Sequence, residues 1–84
     1  MKIKVLGTGC AKCKLLYTEA QKALTASGVA AELEKVEKID DIMGYGVMMT
    51  PALVVDGEVK SSGRIPPAKE IATWITTAAA KASG

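Results

Sequence analysis

From Ala11 to Ser27 the chain contains neither Gly nor Pro, and Leu16, Ala20, Ala23 and Leu24 recur along it at helical spacing. So long and regular a segment predicts a helix, and stretches of the other period frame it. Ahead of it, Lys2-Ile3-Lys4-Val5-Leu6 alternates polar with apolar residues and stops at Gly7, which predicts a strand with one buried face. Behind it, Gly28 stands where a left-handed C′ residue is wanted. Val29, Ala31 and Leu33 then fall in phase with period two against Glu32 and Glu34, which predicts a second strand from Val29 to Val36. A β-α-β unit with so long a crossover places its strands parallel and joins them in the right-handed sense.

The remaining elements are marked by Gly and Pro. Asp40 to Met43 suits a short helix closed by Gly44-Tyr45-Gly46, where two glycines allow a sharp turn. Pro51 precedes Ala52-Leu53-Val54-Val55, an apolar run expected of a strand covered on both faces. Asp56-Gly57 is a strong hairpin signal and ties that run to Glu58–Ser61 as an antiparallel pair. After Gly63 the Pro66-Pro67 pair starts a last helix, because a proline near the first turn gives up an N–H that has no intrahelical partner. Ala68, Ile71, Ala72, Ile75 and Ala79 supply its apolar stripe. The order β-α-β-α-β-β-α predicts an α/β fold with a mixed four-stranded sheet and helices on both faces.

With 84 residues the chain is read as one domain, 1–84, whose tail from about 78 to 84 frays. A chain of this size buries about 60 to 65% of its unfolded surface. Hydrophobic residues make up 49% and charged residues 24%, as in a soluble globular domain. Aromatic residues are 4%, with no Phe, so bases would find no stacking platform. Eleven basic and nine acidic residues are interleaved, which leaves a net charge of +2 without a basic patch and argues against nucleic-acid binding. The N-terminal apolar run, Val5-Leu6, is far too short for a signal peptide or a membrane span, so the expectation is a cytoplasmic monomer with no membrane partner.

The stretch GTGCAKC, residues 7–13, holds both cysteines, Cys10 and Cys13, astride Ala11-Lys12 at the junction of the first strand and first helix. A redox centre, part of a metal site and an incidental pair of small core residues are all open to such a spacing. Zinc within one chain is disfavoured, because tetrahedral sites need four ligands and the chain has two cysteines and no histidine. Two-coordinate Cu(I), or a dimer sharing four thiolates, is not excluded by ligand number.

The element order, CAKC at that junction, Thr50-Pro51 ahead of the third strand, the Asp56-Gly57 hairpin and Gly63 together resemble the thioredoxin fold. They are most similar to the small prokaryotic glutaredoxin-like thioredoxins, also called redox-active disulfide proteins, over Lys2 to about Thr77. The resemblance implies thiol–disulfide exchange, with Cys10 as exposed nucleophile, Cys13 as buried resolving thiol and Pro51 as a cis-proline beside them. It also implies a docking edge for an extended peptide formed by Thr50, Pro51, Met49 and Gly63. Protein disulfides would be the substrates, a thiol or thiol reductase the electron source, and no cofactor or metal would be bound. The alternative is a non-enzymatic carrier of a soft metal or metalloid ion on the two thiolates. In ordinary thioredoxins the motif is Trp-Cys-Gly-Pro-Cys, whereas here it is Gly9-Cys10-Ala11-Lys12-Cys13. The family's buried acid also has no counterpart on the first strand, whose only charged residues are Lys2 and Lys4.

Physical chemistry suits that role. Residues three apart in mid-helix have Cβ atoms about 5 to 6 Å apart, against roughly 3.8 Å in a disulfide. Closure is therefore easier with Cys10 at the cap, and Gly7 and Gly9 are expected to make the loop adaptable. A thiol of ordinary pKa, about 8.5, is a weak nucleophile at neutral pH. Unpaired amides of the first turn and the Cys13 thiol are expected to bring Cys10 near or somewhat below neutral, with Lys12 and Lys14 adding small, screened contributions. As a structural staple so short a loop contributes little, about 2 kcal/mol in the chain-entropy model.

Elsewhere the expectations are plainer. Val47-Met48-Met49 is first of all core filler, with an adaptable rim for partners as the sharper possibility. Tyr17 and Trp74 are packing residues, and Tyr45 belongs to the core edge or the rim. The cluster from Glu32 to Glu37 is a solvated strand face or loop.

Overall fold

The computed structural model describes residues 1–9 and 11–83. Its elements follow the expected order: β1 Lys2–Leu6, α1 Ala11–Ser27, β2 Glu32–Val36, α2 Ile39–Gly44, β3 Ala52–Val55, β4 Glu58–Ser62 and α3 Ala68–Ser83. The four strands form one sheet in the order β2-β1-β3-β4. β1 pairs parallel with β2, and β3 pairs antiparallel with both β1 and β4. No helix among the described residues is long and apolar enough to cross a membrane.

The period-two pattern divides the core between the two faces of the sheet. Ile3, Val5, Leu53 and Val55 point to one face and pack with Leu16, Ala20 and Ala23 of α1 and Ile71, Ile75 and Ala78 of α3. Leu6, Ala52 and Val54 lie in the second cluster, where Ile42 of α2 covers them. β3 is therefore buried at every position, as its unbroken apolar run requires. Each fully buried Leu or Ile contributes about 1.5 to 3 kcal/mol. The small side chains of Ala20 and Ala23 let α1 approach its neighbours closely on the first face.

β2 starts at Glu32 rather than Val29 because a strand lasts only as long as its partner. β1 begins at Lys2 opposite Glu32, whose amide donates to the carbonyl of Met1 at 3.1 Å, so residues 29–31 have no ladder to join. In the hairpin, Asp56 (φ 51°) and Gly57 (φ 83°) both take positive φ, the conformation that an Asp-Gly pair supplies at low cost. A register shift after Leu53 leaves Lys60 as the extra residue of β4, since Leu53 faces Ser61 and Val54 faces Val59. β4 runs one residue further than expected, to Ser62 opposite Ala52.

Pro67 ends the approach to α3. Its carbonyl accepts from Ile71 N–H at 3.2 Å, while the amide of Ala68 donates to Glu19 Oε2 of α1 at 3.2 Å. The carboxylate that caps α3 thus comes from another helix. The segment expected to fray is helical as far as Ser83, and Ala78 is in the core.

Candidate active site

On α1 the residues Cys13, Leu16, Ala20 and Ala23 are buried, at spacings of three and four that keep them on one face of a helix. Cys13 is the first of them and is 6% exposed. Its neighbours off that stripe, Lys12, Lys14 and Leu15, are exposed, Leu15 at 56%. The cysteine side chain thus reaches the core at the point where β1 gives way to the loop before α1.

There it meets Gly7. A Cβ on Gly7 would clash with the Sγ of Cys13 and lie 3.1 Å from its Cβ. The amide of Gly7 also donates to the carbonyl of Val36 at 3.0 Å, continuing the β1–β2 ladder beyond Leu6. The expectation that both glycines lend adaptability needs correcting. Gly7 is held in the ladder, and its lack of a side chain makes room for sulfur. Gly9, exposed and at φ +85°, is the one that needs glycine for its backbone.

β1 pairs with β3 so that Leu6 faces Ala52. One step further along this antiparallel ladder brings Gly7 and Pro51 to the same end of the sheet. The Thr50–Pro51 peptide is cis, and Pro51 is fully buried. Gly63, at φ +74°, donates its amide to the Pro51 carbonyl at 2.9 Å. A Cβ on Gly63 would come within 3.1 Å of the Met49 side chain, so Met49 lies over that glycine. Thr50, just before the proline, is exposed.

Met49, Pro51 and Gly63 are thus neighbours, with Thr50 next to them along the chain, while Cys13 lies against Gly7 at the same end of the sheet. Cys10 falls outside the described residues. The expectation that Val47-Met48-Met49 is core filler is overturned for both methionines: Met48 is 97% exposed and Met49 62%. Of the three, Val47 alone packs against the core, with Tyr45, beside Leu6 and Ile42. Tyr17 and Trp74 pack against the main cluster as expected.

The charge cluster around β2 is solvated at Glu32, Lys35 and Glu37, which are exposed, and half-buried at Glu34. Lys35 and Glu37 line a cavity of about 190 Å³ together with Val5, Gly7, Gly9, Cys13 and Lys14. Spacing along the chain carries no signal for this, because β2 and α1 meet only through tertiary packing. The Lys35 ammonium lies 4.8 Å from the centroid of the Tyr17 ring. On the α2 face of the sheet, Lys4 Nζ donates to the Tyr45 hydroxyl at 2.8 Å and lies 3.5 Å from Glu34 Oε1. The hydrogen bond to Tyr45, with Glu34 adding to it, raises Lys4 above the usual lysine value. Among the described residues no group of three or more His, Cys, Asp or Glu is placed to hold a metal ion.

Comparison with known proteins agrees with this architecture. A family model described as a thioredoxin domain matches residues 1–76. A thioredoxin of Methanothermobacter thermautotrophicus is 44% identical over 71 residues, covering 84% of this chain and 92% of that protein. A thioredoxin of Methanocaldococcus jannaschii is 36% identical over 69 residues, covering 82% of this chain and 79% of that one. A sheet that carries a buried cysteine at the head of its first helix, at the end where a cis-proline enters the third strand, thus goes with sequence similarity over most of the chain: the protein belongs to the thioredoxin family and shares its general type of redox function.

Proposed function

We propose that this protein is a thiol–disulfide oxidoreductase that reduces or exchanges protein disulfides through Cys10 and Cys13. Cys10 attacks a substrate disulfide and forms a mixed disulfide. Cys13 then attacks the Cys10 sulfur, an intramolecular Cys10–Cys13 disulfide forms, and the reduced substrate leaves. An external thiol or thiol reductase restores the dithiol, and no cofactor takes part. Such a cycle suits a cytoplasmic monomer.

The observation that carries this reading is the lodging of the Cys13 sulfur against Gly7 at the cis-Pro51 end of the sheet. A resolving thiol has to be shielded from outside disulfides yet sit one helical turn from the attacking cysteine, and burial of Cys13 meets the first need. Cys13 is also not a free thiol. For substrate, Thr50 presents backbone hydrogen-bonding groups to an extended peptide, and exposed Met48 and Met49 give an apolar surface that repacks easily. Gly9 and Lys12 modulate the nucleophile, Lys12 weakly because it is exposed. The alternative carrier of a soft metal ion gains nothing from a sulfur pressed against backbone.

Insulin reduction driven by dithiothreitol tests the proposal. The wild type accelerates it, Cys10→Ser does not, and Cys13→Ser accumulates a mixed disulfide at Cys10 that mass spectrometry detects. A wild type that binds Cu(I) or arsenite stoichiometrically and leaves insulin reduction unaccelerated would replace the oxidoreductase with the carrier.

A further inference from the structure

The cysteine that closes the proposed cycle must shed a proton while almost wholly shut off from solvent, since Cys13 is 6% exposed. The acid expected on the strand ahead of the motif is absent there, because Lys2 and Lys4 are its only charged residues. The cavity against Cys13, at about 190 Å³, is large enough for several waters. The charged side chains on its wall are Lys14 from α1, Lys35 from β2, and Glu37 just beyond β2. Among the described residues Glu37 is the only carboxylate on that wall.

Lys35 and Glu37 also line a second, open cleft of about 760 Å³ on the α2 side of the sheet. There Glu37 shares the surface with Lys4, Glu34, Lys38, Asp40 and Asp41. Glu37, itself exposed, therefore borders both the space at the sulfur and the wider cleft. With the proposed cycle as its premise, we infer that Glu37 is the proton acceptor for Cys13, through water in the cavity at the sulfur, and that it releases the proton through the open cleft.

The step balances. The Cys13 S–H bond breaks and its proton passes by way of water to the Glu37 carboxylate. The thiolate attacks the Cys10 sulfur of the mixed disulfide, so the Cys10–Cys13 bond forms and the bond from Cys10 to the substrate sulfur breaks. The electron pair leaves on the substrate thiolate, which takes a proton from solvent. The substrate disulfide is reduced by two electrons and the dithiol is oxidised by two. Charge favours this course as well. Once Glu37 is protonated it no longer opposes a thiolate, and Lys14 and Lys35 remain as cationic residues on the cavity wall.

Ellman's reagent, 5,5′-dithiobis(2-nitrobenzoate), separates the two chemical steps, because attack by Cys10 releases one coloured thiolate and resolution by Cys13 releases a second. With reduced Glu37→Gln in stopped flow, the first phase keeps its wild-type rate. The second slows about tenfold or more between about pH 6 and 7, and the deficit fades above about pH 9, where hydroxide suffices. Glu37→Asp retains most of the second phase. Glu32→Gln, which lies in neither space, leaves both phases unchanged. A Glu37→Gln second phase within about twofold of wild type at pH 6 to 7, or equal slowing of both phases, overturns the assignment. A wild type that releases only one equivalent instead overturns the dithiol cycle itself.

Discussion

The sulfur of Cys13 lies against the bare Cα of Gly7, so closely that a methyl group there would overlap Sγ. Gly7 has an ordinary negative-φ backbone and a ladder hydrogen bond to Val36, so its need for glycine is steric rather than conformational. Overpacking a filled site costs about 1 to 3 kcal/mol. Gly7→Ala is expected to lose that much in urea denaturation and to slow resolution by Cys13 in the second phase with Ellman's reagent.

Gly9 provides the contrast. Among the described residues nothing beyond its chain neighbours lies within 4 Å of a Cβ placed there, but its φ is +85°. Gly9→Ala is therefore expected to cost about 1 to 2 kcal/mol through backbone strain alone. The loss should persist in the Cys13→Ala background, where the Gly7→Ala penalty shrinks because the sulfur is gone. Urea midpoints of the two double variants check both expectations.

At Gly63 both effects coincide, since its φ is +74° and a Cβ would meet the Cβ and Cε of Met49 at 3.1 Å. Gly63→Ala should destabilise the fold by about 1 to 3 kcal/mol. Truncating the neighbour relieves only the crowding, so the combined Gly63→Ala, Met49→Ala variant should cost less than the sum of the single changes. A double-mutant cycle in urea measures the difference, and strict additivity would show that Met49 does not rest on Gly63.

α1 and α3 are joined by the hydrogen bond that the Ala68 amide donates to Glu19. Glu19→Ala leaves that helix N-terminus without its side-chain acceptor and should cost about 0.5 to 2 kcal/mol. Glu19→Gln keeps an oxygen acceptor and should lose less. Thermal unfolding followed by circular dichroism ranks the three proteins.

Stability should also fall on the acid side in a way that can be assigned. Arg64 donates to both oxygens of Glu70, at 2.8 and 3.4 Å, and this pairing holds Glu70 below the usual carboxylate range. Lys60 does the same for Glu58. A carboxylate whose folded pKa is depressed stabilises the fold above its unfolded pKa, about 4.3, and loses that contribution as pH falls through the lower folded value. Wild type should therefore exceed Glu70→Gln in urea midpoint near neutral pH, with the gap closing well below pH 4. Because both side chains are exposed, 0.5 M salt should narrow the gap at neutral pH. A gap that widens on acidification would contradict the pairing.

Every element of this protein was legible in its sequence because the signals are local. Period two in Lys2–Leu6, a Gly- and Pro-free run to Ser27, positive-φ residues at Asp56-Gly57 and prolines before Ala68 each act within a few residues of chain. Where elements end depends already on partners, as β2 shows by beginning at Glu32 opposite the first residue of β1. The resemblance placed Met49, Thr50, Pro51 and Gly63 on one edge, but the exposure of both methionines depends on how the loop crosses the sheet end, and hydrophobicity alone pointed inward.

The reason Gly7 must be glycine, and the approach of Lys35 and Glu37 to Cys13, were decided by tertiary structure. Periodicity tells which side of a strand or helix is apolar. It does not encode the register in which β1, β2 and α1 meet, and that register determines which charges face the buried sulfur.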